Sequence, residues 1–183
     1  IKEVQIKKGV PKAGDVVIVL GGPAMLIGLG GGSASSTKKT NDNADLDFAS
    51  VQRSNPEMQR RAQQVLDKFN ERSSKNPITF IHDVGAGGIS NAIPELAKDT
   101  NLGVEINLEN IDSADQTMSP MELWCNESQE RYVFTIPTKK LRALEDICRK
   151  ERCPFSIAGY LTEDKIVKIK FYESLGVRQS LFH

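Results

Sequence analysis

The sequence predicts an α/β chain, α+β in the looser sense: a mixed β-sheet with helices packed on it. Three observations carry this. Strand-like and helix-like stretches follow one another in the order βαβαβ(α)βαββ. The run Val16-Val17-Ile18-Val19-Leu20 is continuous and β-branched, as in a strand covered on both faces. Residues 80–92 pass from an apolar run through Asp83 and several glycines into an amphipathic helix, so a strand delivers a carboxylate to its C-terminal tip.

The elements follow in order. Gly14-Asp15 is a turn before the first strand. Residues 21–43 form a glycine-rich loop holding Gly28, Gly30, Gly31, Gly32 and Ser33; loops of that length are usually functional or disordered. Asn55-Pro56-Glu57 opens the first helix, with asparagine as cap, proline in the first turn and glutamate at the positive end. Met58, Ala62, Val65, Leu66 and Phe69 share one face of it. Residues 78–81 are a strand, and 90–98 a helix whose Pro94 falls in about the first turn, where proline is tolerated. Residues 104–108 alternate like a half-buried strand, and 119–123 form a short capped helix. Residues 131–136 are a strand, and 138–152 a helix capped by Thr138. Strands at 156–161 and 166–171 are joined by a hairpin-like turn over 162–165.

A length of 183 residues suits one domain with a real core. The formal charge is zero, with no basic stripe for DNA or RNA and no charged tail. No apolar run is long enough to span a membrane. Cys125, Cys148 and Cys153 lack metal-ligand spacing and are odd in number, which fits reduced thiols and a cytoplasmic location. The chain starts at Ile1 and ends in no obvious natural terminus, so residues 1–183 are expected to be one domain of a longer polypeptide.

Several residues can carry chemistry. Asp83 can hold magnesium, which favours a few carboxylates with phosphate oxygens and water, while the helix start behind it offers N–H groups to phosphate. The alternative is that Asp83 only caps the helix. Gly28, Gly30, Gly31, Gly32 and Ser33 can form a nest of N–H groups around phosphate, or a flexible loop; no P-loop lysine-serine pair follows. Gln52 can hydrogen-bond a substrate, and Arg53 can pair with phosphate; local capping is the competing reading. The polar run 126–131 cannot all be core on this reading, so it either faces solvent or lines a polar pocket. Glu127, Ser128 and Gln129 would suit ribose hydroxyls or an amide. His82 points away from Asp83 and suits a structural role. No cysteine sits in a nucleophile elbow, so a glutamine-hydrolysing centre is not expected here.

Residues 23–36, 45–60, 80–96 and 118–133 together resemble phosphoribosylformylglycinamidine synthase of the large, single-chain type (formylglycinamide ribonucleotide amidotransferase). The resemblance implies the first C-terminal-type domain of a duplicated core of the aminoimidazole ribonucleotide synthetase-like superfamily. It also implies a ligase of purine biosynthesis that turns formylglycinamide ribonucleotide, ATP and glutamine into formylglycinamidine ribonucleotide, ADP, phosphate and glutamate. In that reaction ATP activates the formamide oxygen, and ammonia from a separate glutaminase domain displaces phosphate. Carried over residue by residue, Asp83 becomes a magnesium ligand, and Gln52, Glu127, Ser128 and Gln129 become substrate contacts. The cofactors implied are Mg2+ and ATP. The implied partners are the preceding ATP-binding domain, the second synthetase half and the glutaminase domain. No catalytic residue of the family maps onto this chain, so alone it is expected to be inactive. The competing readings are a non-catalytic nucleotide-binding or scaffold domain of the same enzyme, and another ligase or kinase of the superfamily.

Overall fold

The structure, a computed structural model, describes residues 9–29, 55–71 and 76–171. Its strands are β1 (Val16–Gly21), β2 (Phe80–Asp83), β3 (Gly103–Asn107), β4 (Arg131–Ile136), β5 (Phe155–Thr162) and β6 (Val167–Lys170). Its helices are α1 (Pro56–Glu71), α2 (Ile89–Thr100), α3 (Pro120–Cys125) and α4 (Leu141–Glu151). The six strands form one sheet in the order β2-β4-β1-β5-β3-β6. All neighbours are antiparallel except β3 and β6, which are parallel, so the sheet is mixed as expected.

β1 lies deep in this sheet, and its side chains alternate between two cores. Val16, Ile18 and Leu20 pack with Phe134 and Ile136 beneath α1 and α4, through Val65, Phe69, Leu144 and Ile147. Val17 and Val19 pack on the other face with Val104, Ile106 and Val133, beneath Ile93 and Leu96 of α2 and Leu123 of α3. A strand buried on both faces has no polar side to show, which is why this run is continuously apolar.

Local signals explain most boundaries. Asn55 Oδ1 accepts the Met58 N–H at 3.0 Å and starts α1. Ser119 and Glu122 form a reciprocal capping box on α3. No helix among the described residues is long and apolar enough to cross a membrane.

Three expectations are corrected. Thr138 does not cap α4: a 3-10 turn over Thr138–Lys140 precedes that helix, and the Thr138 hydroxyl donates instead to the Gly14 carbonyl at 3.0 Å. Pro94 sits inside α2, beyond the first turn, so it removes one N–H from the helix ladder. Residues 162–165 are not a hairpin, because β3 lies between β5 and β6. The connection instead crosses the start of β3 at Gly103. A Cβ there would lie 2.8 Å from the Ile166 backbone nitrogen, besides crowding Asp164 Oδ1 and Thr162 Oγ1, so glycine is what leaves the passage open.

Candidate functional site

Three segments distant in sequence meet at one end of the sheet. The first is 24–28, after β1. Ala24 is pinned from outside: its N–H donates to Asp112 O at 2.8 Å, and its carbonyl accepts from Ala114 N at 2.9 Å. The second is the strand tip and turn 83–88. The third is 126–131, between α3 and β4.

Asp83 ends β2 directly opposite Tyr132 of β4. It is exposed, and among the described residues its carboxylate makes no hydrogen bond or ion pair. It shares a cavity of about 190 Å³ with Gln59, Gln129, Glu130, Arg131, Tyr132 and Val84. Burial, then the charges of Asp83 and Asp67, push the Tyr132 phenol above its usual pKa. Asp83 therefore stands exposed at the strand end, the position the sequence predicts for it.

The turn behind Asp83 is shaped by its contact with 126–127. Gly87 and Gly88 have φ of +78° and +61°, and a Cβ on Gly88 would lie 1.9 Å from the Asn126 carbonyl oxygen. Only glycine permits that approach. The Gly87 N–H, which the sequence offers to phosphate, donates instead to Glu127 Oε1 at 2.8 Å. A protein carboxylate thus occupies part of the electropositive entrance to α2. The same Glu127 side chain lies against Gly28, whose φ is +64°; a Cβ on Gly28 would meet Glu127 Cβ at 2.5 Å and Oε2 at 2.7 Å.

The polar run, expected not to be all core, leaves Glu130 partly exposed and lines the Asp83 cavity through Gln129, Glu130 and Arg131, but its burial goes further than a polar edge would. Asn126, Glu127, Ser128, Gln129 and Arg131 are all buried. They satisfy one another, which is what makes buried polar groups tolerable. Ser128 Oγ accepts the Met25 N–H at 2.8 Å and lies 2.7 Å from Asn126 Oδ1. Glu127 N donates to Ile27 O at 2.8 Å, and Gln129 Nε2 donates to Glu127 O at 2.8 Å. Asn126 Nδ2 donates to the Glu122 and Leu123 carbonyls at 2.7 and 2.9 Å, closing the end of α3.

Arg131 has the largest fully buried side chain among the described residues. Its Nε donates to Ser128 O at 2.9 Å, and Nη2 to Asn126 Oδ1 at 2.9 Å. Among the described residues no carboxylate pairs with it, and Nη1 has no hydrogen-bond partner there. Burial pushes its pKa down to about 10, so it stays charged at neutral pH. Sequence reading placed Arg131 only as the first residue of a strand and missed Asn126 as a hub. The signal was available: two polar residues flanking the Glu-Ser-Gln triplet in a run bounded by apolar elements.

Of the other candidates, Gly30, Gly31, Gly32, Ser33, Gln52 and Arg53 lie outside the described residues. The His82 ring packs tilted against Phe80 at 5.2 Å, and its Nε2 lies 3.6 Å from Asp99. Among the described residues no three His, Cys, Asp or Glu side chains cluster as a metal cage.

A mixed six-stranded sheet with helices on both faces, carrying a strand-end carboxylate beside a buried polar knot, defines an α/β domain. The chain belongs to the family described as AIR synthase related protein, C-terminal domain, which matches residues 12–171. Among solved structures it is similar to Thermotoga maritima PurL complexed with FGAR, at 24% identity and TM-score 0.77, over 90% of this chain and 27% of that one. It is also similar to T. maritima PurL complexed with ATP, at 20% identity and TM-score 0.70, over 93% of this chain and 25% of that one. Thiamine-monophosphate kinase from Stenotrophomonas maltophilia K279a shares the fold more distantly, at 12% identity and TM-score 0.55, over 88% of this chain and 52% of that one. The chain spans about a quarter of the PurL chains it matches.

Proposed function

We propose that this chain is a C-terminal-type domain of phosphoribosylformylglycinamidine synthase, part of a longer cytoplasmic polypeptide, and that it supplies magnesium and substrate contacts to the synthetase site. The observation that carries this reading is the unpaired Asp83 carboxylate sharing one cavity with Gln129. The family membership and the likeness to PurL support it. Asp83 would provide one oxygen to magnesium, with ATP phosphates and water filling the other positions, the usual sharing for this ion. Magnesium, when bound, would neutralise charge that develops on the transferred phosphoryl group. Gln129, with Glu127 and Ser128 behind it, would orient formylglycinamide ribonucleotide. Gln52 and the rest of the glycine loop would complete the enclosure. ATP, ammonia from glutamine and the remaining domains would come from the rest of the enzyme.

A second reading has an observation of its own. The Ser128 hydroxyl and one Glu127 oxygen are already engaged within the domain, as a purely structural nucleotide-binding or scaffold domain would have them. Replacing Asp83 by Asn in the full-length enzyme separates the two. If Asp83 holds catalytic magnesium, formylglycinamidine ribonucleotide formation falls by orders of magnitude while glutaminase activity survives at least in part, since the contact acts in the transition state. Wild-type turnover with a lowered melting temperature establishes the scaffold reading instead.

A further inference from the structure

We propose that Arg131 is the positioning residue of the 127–129 segment, holding that peptide in the conformation that presents Gln129 to the Asp83 cavity. This rests on the proposed substrate role of Glu127, Ser128 and Gln129. The geometry is specific. One planar guanidinium spans two acceptors on the same short segment, Ser128 O and Asn126 Oδ1, each at 2.9 Å. Those acceptors bracket Glu127, whose carboxylate is then directed to Gly87 N and whose carbonyl accepts from Gln129 Nε2. Gln129, two residues before Arg131, reaches the cavity that holds Asp83.

The energetics point the same way. A cation buried without a carboxylate is costly, and among the described residues Arg131 has neither a carboxylate nor a partner for Nη1 to offset its lost hydration. A well-packed apolar side chain would stabilise a scaffold at least as well. What it would not do is bind two carbonyl-type oxygens in one plane, which is the particular capacity of arginine. The lysine substitute keeps the charge but offers a single ammonium in place of the fork.

The test uses the full-length enzyme with R131M, R131K and, as a control on the substrate role, Q129A. Kinetics are measured against formylglycinamide ribonucleotide and against ATP, with hydrogen–deuterium exchange over residues 126–131. We expect R131M to speed exchange in that segment and to raise the KM for formylglycinamide ribonucleotide roughly 10–100-fold, the usual cost of losing an outer support. The KM for ATP should stay within about twofold, the affinity change expected of a site whose own contacts are kept, and R131K should fall between wild type and R131M. If R131M does not fold, R131K carries the same expectation at reduced size. Unchanged exchange over 126–131 overturns the proposal. So does an unchanged KM in folded R131M when Q129A raises it. If Q129A itself leaves the KM unchanged, the substrate reading fails and takes the positioning role with it.

Discussion

The Glu127 carboxylate accepts the Gly87 N–H at 2.8 Å, joining two motifs forty residues apart. Through this bond the turn behind Asp83 is tied to the segment leading to Gln129. Gly28 closes it from the other side, because it leaves room for the same carboxylate. Expected outcomes follow from that arrangement and from the titratable groups around the sheet.

Gly88→Ala should be severely destabilising. Its Cβ would meet the Asn126 carbonyl oxygen at 1.9 Å, in a left-handed backbone conformation. A cost on the order of 3 kcal/mol is expected, from a clash with backbone that cannot yield. For a chain of this size that lowers the melting temperature by roughly 6–12 °C. Gly14→Ala is the control: φ is +88° but nothing lies within 4 Å of the new Cβ. It should cost only about 1 kcal/mol. Equal melting of the two variants would show that the 126–127 contact does not constrain the turn.

Ser128→Ala should loosen the start of the glycine-rich loop. It removes the acceptor of the Met25 N–H and the hydroxyl beside Asn126 Oδ1. Leaving such groups unsatisfied costs roughly 1–3 kcal/mol. Denaturant unfolding measures the loss. Amide exchange should rise at Met25 before it rises in the β1 core, and protection of Met25 equal to wild type would contradict the bond.

The cysteines should differ sharply in reactivity. Burial, reinforced by Cys153, pushes the Cys148 thiol far above its usual range, and burial pushes Cys153 up to about 12. Thiolate is the reactive form, so both should be silent to a disulfide reagent at pH 8 in the folded chain. Cys125 is only partly buried and should react first. A titration that consumes one thiol quickly and two only after denaturant fits; rapid loss of all three does not.

Asp164 and Glu57 should titrate below the usual carboxylate range. Lys168, then the Thr162 hydroxyl, hold the Asp164 carboxyl near 2, and Arg60, then Arg61, do the same for Glu57. A depressed folded-state pKa stabilises the fold above the unfolded value and is lost as pH falls toward the folded one. For Asp164 that window runs from about 4 down to about 2. Both groups are exposed, so the effect on stability is small and the direct observable is the carboxyl shift by NMR. Lys168→Ala should return Asp164 toward the ordinary carboxylate range while leaving Glu57 unchanged. No movement of Asp164 in that variant would contradict the ion pair.

The element order was legible in the sequence because local chemistry decides it. Asn55, the Ser119–Glu122 box and the β-branched run at 16–20 act over a few residues, and the chain obeys them in isolation. Asp83 at its strand tip was legible for the same reason: an apolar run stops there and glycines follow. Strand pairing is different. Nothing within 162–165 reveals that β3 will lie between β5 and β6, because that depends on Gly103 leaving a passage some sixty residues away. The polar run 126–131 was legible only in part. Polarity argues for solvent or a polar pocket, and burial of five of its six residues becomes tolerable only when Met25, Ile27 and Gly87 arrive from elsewhere and Arg131 bonds back onto Ser128 and Asn126. The sequence by itself therefore determined which residues form which elements and where the exposed carboxylate stands. Only the tertiary structure decided what Glu127 and Ser128 hold, since Gly87, Ile27 and Met25 come from other segments of the folded chain, and it decided that Arg131 turns back onto Ser128 and Asn126 in a buried site instead of facing solvent.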